Sequence, residues 1–103
     1  VATFAFVKGP DITYRNIYNG KWVDVEHPYF VVHRMASMPG VHGIFNDVLD
    51  YCFKHTDNIR IDTHLQNHLM RHVLEKYGFA YCGIIYLLDG AERLAYQMIL
   101  PRM

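Results

Sequence analysis

Apolar residues along this chain follow two alternating rhythms. Val1 to Val7 (VATFAFV) is apolar and rich in β-branched and aromatic residues, which predicts a buried strand closed by Gly9-Pro10. The next run, TYRNIYNGKWV, alternates apolar with polar and holds Asn19-Gly20, a strong turn signal, so a strand hairpin is expected there. Tyr29 to Ser37 (YFVVHRMAS) reads as a further strand between Pro28 and the break at Met38-Pro39-Gly40. From Ile44 to His55 the spacing changes: Ile44, Phe45, Val48, Leu49, Tyr51, Cys52 and Phe53 recur with a helical period. A short strand follows in NIRIDTH, then a second helix over His64 to Tyr77, with Leu65, Leu69, Met70, Val73, Leu74 and Tyr77 mostly on one side. FAYCGIIYLL and RLAYQMIL complete the pattern as two strands about an Asp89-Gly90 turn. Two strand–helix–strand units imply locally parallel pairing, and the hairpins at both ends imply antiparallel pairing. The expected fold is one α+β domain, a mixed sheet with helices across it.

The second helix has boundary signals of its own. Thr63 and Gln66 fit a capping box, Lys76 suits the negative pole of the helix, and Gly78 suits the residue just past its end. His64, His68 and His72 fall at four-residue steps on the same helix. A rise of 1.5 Å per residue puts the outer two ~12 Å apart, so only a neighbouring pair could share one ion. HLQNH and HLMRH also lack the Glu of a zinc-protease signature. The stripe reads as a solvated histidine face, and no metal is expected.

Composition narrows the function classes. The 103 residues are 51% hydrophobic and 15% aromatic, enough for a packed core. Ten basic and ten acidic residues balance with no run of one sign, which argues against general nucleic-acid binding. Cys52 and Cys82 sit inside apolar periodic segments and read as reduced core thiols of a cytoplasmic protein. The apolar runs are shorter than the ~20 residues a bilayer span takes, so no membrane partner is expected. The chain begins with Val1 already inside a strand pattern, which suggests an N-terminally truncated domain.

Asn67, near the start of the second helix, is followed twelve residues later by Phe79 in EKYGF. With its flanks, IRIDTHLQNHLMRHVLEKYGFAYCGIIYLLDGAERLAYQ resembles the C-terminal half of the GNAT superfamily, the acetyl-CoA-dependent N-acetyltransferases. Upstream, YFVVHRMAS, a glycine-bearing loop and a helix match the family's cofactor-binding unit in order and spacing, so the resemblance runs from Val1 to about Ile99. It implies a mixed, mostly antiparallel sheet in which the strands matching Val31 to Ala36 and Ile59 to Asp62 are a splayed parallel pair. The family's N-terminal strand and following helices are missing, leaving sheet surface uncovered and predicting self-association or low stability.

The resemblance also implies a site. The gap between the splayed strands would hold the pantetheine arm of acetyl-CoA, with a backbone N–H of Met35 or Ala36 facing the thioester oxygen. Gly40, Val41, His42, Gly43 and Ile44, in PGVHGIF, would carry the pyrophosphate on backbone N–H groups, and Asn67 would contact the pantetheine. An amine-bearing acceptor must lose a proton before attack. His33 and Asp62 end the two splayed strands and are the candidate bases; the alternatives are a satisfied strand histidine and a helix-capping carboxylate. Two departures stand out. Phe45 replaces a small residue of the usual phosphate loop, and Leu74 stands where many relatives have the tyrosine that protonates the leaving thiolate. Trp22, Tyr14, Tyr18 and Tyr29 could line an acceptor pocket or simply be core, and Arg93 reads as a strand-edge charge. The implied activity is acetyl transfer from acetyl-CoA to a primary amine in a ternary complex. The alternative is a catalytically inactive module that keeps the CoA site for binding or regulation.

Overall fold

The structure is a computed structural model that describes residues 3–36 and 43–101. Five strands and two helices follow one another as β1 (Thr3–Lys8), β2 (Phe30–Ala36), α1 (Gly43–Phe53), β3 (Asn58–Thr63), α2 (His68–Tyr77), β4 (Ala80–Tyr86) and β5 (Glu92–Ile99). They form one mixed sheet in the order β1-β2-β3-β5-β4. β1 runs antiparallel to β2, and β5 is antiparallel to both β3 and β4. The second strand–helix–strand unit therefore does join strands of like direction, but β5 inserts between them. Only β2 and β3 pair in parallel, and they do so at just two registers, Phe30 with Ile59 and Val31 with Arg60.

Strand alternation sends side chains to two cores. On one face Val32, Ile59, Ile61, Leu94 and Tyr96 pack against Val48, Leu49 and Cys52 of α1 and Met70 and Leu74 of α2. Both helices thus lie on the same side of the sheet. On the other face Val31, Cys82, Ile85 and Ala95 pack under Tyr14 and Trp22.

That second core replaces the hairpin expected between residues 13 and 23. Ile12–Tyr14 is a single 3-10 turn, and the following chain crosses the sheet face instead of extending it. Among the described residues its one bridge is Tyr18 with Ile84, each N–H donating to the other's carbonyl at 2.8 Å. Asn19 does adopt the left-handed conformation of a turn, at φ 58°. Gly20, however, lies against β4, where a Cβ would stand 1.9 Å from the Cys82 carbonyl oxygen. Burying Tyr14 and Trp22 outweighs the pairing of a two-stranded ribbon that would leave both rings in water. The Trp22 indole donates to the Tyr14 carbonyl at 3.0 Å, and the buried Gln97 side chain accepts from the Val23 N–H at 2.9 Å.

The start of α2 also differs from expectation. Thr63 is buried and still paired with Leu94, so it continues β3 and cannot cap a helix. Asn67 is the N-cap instead, its side-chain oxygen accepting from the Met70 N–H at 3.1 Å. His64 lies in the preceding turn, where its ring accepts from the Gln66 N–H at 3.1 Å. The helical histidine stripe thus shrinks to His68 and His72. Gly78 ends the helix as expected, donating to the Leu74 carbonyl.

Burial in these cores has a pH signature. Burial alone pushes the Cys52 thiol up to about 11, against about 8.5 in an unfolded chain. The folded state thereby favours the neutral thiol, so this contribution to stability is complete below the unfolded value and is lost as pH rises through the folded one. Burial and the Asp50 carboxylate push the Tyr77 phenol up as well. The urea midpoint is expected to fall steadily between pH ~8.5 and about 11; a flat midpoint across that window would contradict the packing of α1 on the sheet.

Candidate active site

Beyond Val31 and Arg60 the strands β2 and β3 part, although both continue, to Ala36 and Thr63. Each keeps its outer partner: Ala36 is still in register with Thr3 of β1, and Thr63 with Leu94 of β5. Their facing edges are therefore strand backbone that does not pair across the gap. An extended polar chain could add to such an edge as a strand does. Met35 and Ala36 lie on the diverging part of β2, as expected. Gly43 opens α1, with Ile44 in its first turn, on the side of the sheet where both helices pack. Gly40, Val41 and His42 lie outside the described residues.

His33 and Asp62 are the two polar side chains that the divergence brings to one face, the face opposite the helices. Each has a polar partner on that face, and Asp11, the partner of His33, is one that the sequence did not single out. His33 Nε2 is 3.2 Å from Asp11 Oδ2, with the two side chains 34% and 23% exposed. Asp11 caps the 3-10 turn, its Oδ1 accepting from the Thr13 N–H at 2.9 Å and the Thr13 hydroxyl at 2.7 Å. Partial burial pushes the Asp11 carboxyl up, but the Thr13 hydrogen bonds and the His33 ring outweigh it and hold the group below its usual range. Asp11 thus stays ionised and orients the imidazole.

Asp62 is held more tightly. Its Oδ2 accepts from the Tyr14 hydroxyl at 2.6 Å, and Arg93 Nε lies 3.1 Å from Oδ1, the two ion-pair side chains being 8% and 31% exposed. Burial first, then the Asp62 carboxylate, push the Tyr14 phenol well above its usual range, so it remains a donor. Arg93 is accordingly more than an edge charge, and Asp62 is not the helix-capping carboxylate that its sequence context allowed. Of the two candidate bases, His33 is the more open to solvent and Asp62 has its oxygens engaged by a phenol and a guanidinium.

Asn67 is placed at the first turn of α2, but its side-chain oxygen is committed to the cap; its amide group carries whatever further bond it makes. Between the two helices runs a groove of about 710 Å³ lined by Asn46, Asp50, Leu69, His72, Val73, Lys76 and Tyr77. The Tyr77 hydroxyl crosses it to donate to Asp50 at 2.6 Å. Leu74 is fully buried in the core, so it occupies no position from which to meet a thiolate. Among the described residues no cluster of His, Cys, Asp and Glu could hold a metal ion, and no helix is long and apolar enough to cross a membrane.

The aromatic residues of the crossing segment divide. Tyr14 and Trp22 are core, Tyr18 is exposed and meets Tyr86 edge-on, and Tyr29 is half-buried beside Arg60. Arg60, which alternation along NIRIDT sets on the same face as Asp62, is the residue that sequence reasoning passed over. The available signal was a lone arginine inside an otherwise buried strand.

No protein-family model matches the chain, and no curated protein matches it significantly. Among solved structures it is similar to an acetyltransferase of the GNAT family from Streptococcus agalactiae, at 36% sequence identity and a TM-score of 0.85. The match covers 96% of this chain and 58% of that one, so the chain spans under two thirds of its neighbour's length. The strand order, the single parallel pair that opens after two registers, and this likeness agree: the chain has the fold of the GNAT superfamily.

Proposed function

We propose that this domain transfers an acetyl group from acetyl-CoA to a primary amine by direct attack in a ternary complex. The observation that carries the reading is the open edge between β2 and β3, with His33 on the strand that borders it. The pantetheine arm enters from the helix face, and the acceptor enters from the opposite face. A Met35 or Ala36 N–H meets the thioester oxygen as negative charge develops there. The amine nitrogen bonds to the carbonyl carbon, the C–S bond breaks, and the CoA thiolate leaves. His33, aligned by ionised Asp11, receives the amine proton. A thiolate with a pKa near 8.5 can depart without a dedicated acid, which accommodates Leu74. We place the protein in the cytoplasm, where its two free buried cysteines stay reduced.

A second reading is favoured by two observations: Asp62 is engaged by Tyr14 and Arg93, and Leu74 stands in the core. In it the domain binds a CoA ligand without turnover. Acetyl-CoA at ~100 times its dissociation constant should add ~2.7 kcal/mol of stability, several degrees in a melting run. A shift with amine-dependent thiol release supports transfer. A shift without release supports the binding module, and no shift removes both.

A further inference from the structure

The face opposite the helices holds a pocket of about 350 Å³ beside the point where β2 and β3 part, lined by Asp11, Tyr14, Arg15, Trp22, Tyr29 and Arg60, among others. Arg60 is its unusual member. The residue is only 3% exposed. Its guanidinium carbon lies 4.1 Å from the Trp22 ring centre and 3.9 Å from that of Tyr29, so the group is clamped between two aromatic faces. One nitrogen donates to the Asp24 carbonyl at 2.8 Å, while Nε has no hydrogen-bond partner among the described residues. Among the described residues Arg60 forms no ion pair. Desolvation disfavours its charge, yet a guanidinium does not lose its proton in proteins.

The Asp24 carboxylate favours the Arg60 charge from a distance. Even so, a buried cation with no direct ion pair and an idle donor is costly, and buried charges are ordinarily paired. We propose that Arg60 binds a carboxylate on the acceptor, so that the acceptor is an amine that also carries an acid group. This deepens the proposed transfer reaction and rests on it. The placement fits. Arg60 precedes Asp62 by two residues on one face of β3, about 6.6 Å along the strand. Tyr14 and Asp11 line the pocket and also touch Asp62 and His33. A carboxylate on Arg60 would leave the amine end of a short molecule facing His33 and the open edge. Arg15, exposed at the same pocket, adds positive charge to the approach. The rings of Trp22 and Tyr29 hold the planar fork in one orientation, which lysine could not reproduce.

The test compares aminocarboxylates from glycine to 5-aminopentanoate with unsubstituted alkylamines of matching length, in wild type and Arg60→Met. The wild type is expected to favour the best aminocarboxylate over its alkylamine by ~30–100-fold in kcat/KM, as for a charge-assisted hydrogen bond. In Arg60→Met that ratio should collapse towards one, and in Arg60→Lys it should fall part of the way. Equal rates for both series in wild type would overturn the proposal while leaving acetyl transfer intact. If no amine of either series is acetylated, the transfer reading fails by itself, and binding decides the Arg60 site. N-acetyl aminocarboxylates should then raise the melting temperature of wild type but not of Arg60→Met, and their uncharged methylamides should raise neither. Equal shifts by acid and methylamide, or no shift by either, would overturn it. A merely structural Arg60 would lower the melting temperature on mutation without moving either selectivity. If Arg60→Met does not fold, Arg60→Lys and the wild-type comparison still decide.

Discussion

Alanine in place of His33 is expected to lower kcat/KM for acetyl transfer by about 10²–10⁴-fold, the usual worth of a positioned general base. The fold should survive. The ring is a third exposed and, among the described residues, its polar contact is with Asp11, which keeps both Thr13 hydrogen bonds when the ring is removed. The deficit should shrink as pH rises, because a larger fraction of the amine then arrives already neutral. Steady-state rates from pH 6.5 to 9.5, with melting as a control, check both statements. A loss below threefold would pass the proton-accepting role to water, since Asp62 has its oxygens occupied.

Asp62→Ala should do the opposite: a large loss of stability, with any loss of rate secondary to it. The substitution leaves the Tyr14 hydroxyl buried without an acceptor and strips Arg93 of its counter-charge. An orphaned buried donor costs about 1–3 kcal/mol. Breaking a fully buried ion pair costs about 3–5 kcal/mol, discounted here because Arg93 is partly exposed. Together a loss of about 2–4 kcal/mol is expected from urea unfolding, a large fraction of the stability of a small domain. Asp62→Asn keeps an oxygen for Tyr14 and should lose only part of it. If the two variants unfold at the same denaturant concentration as wild type, the Tyr14–Asp62–Arg93 cluster contributes nothing to the fold.

Much of this architecture was legible in the chain, and the two failures share one cause. Local period identified β1, β2, β3, β4, β5 and both helices because each buries one face with its own rhythm. Residues 13–23 carry the same alternation and a good turn dipeptide, yet Tyr14 and Trp22 bury more surface lying flat across the sheet than a ribbon could offer. Thr63 has the chemistry of an N-cap, but β5 claims it as a strand residue, and Asn67 caps in its place. In each case a partner distant in sequence, β4 or β5, overrode a sound local signal. The site divided the same way. His33 and Asp62 were legible because they lie on the two strands that part. Asp11, Tyr14 and Arg60 acquire meaning only through neighbours 22, 48 and 36 residues away in the chain.

The short parallel contact between β2 and β3 has a mechanical side. Within the sheet, β1 and β2 form one antiparallel ribbon, and β3, β5 and β4 form another, each knit along most of its length. The seam between them is two registers long and sits at one end, at Phe30–Ile59 and Val31–Arg60. The sheet is thus built like a pair of tongs, with Arg60 in the rivet itself and the jaws ending at Ala36 and Thr63. A small rotation about the seam would change the width of the gap most at its far end, so whatever fills the space between the jaws also bears on the angle between the two ribbons.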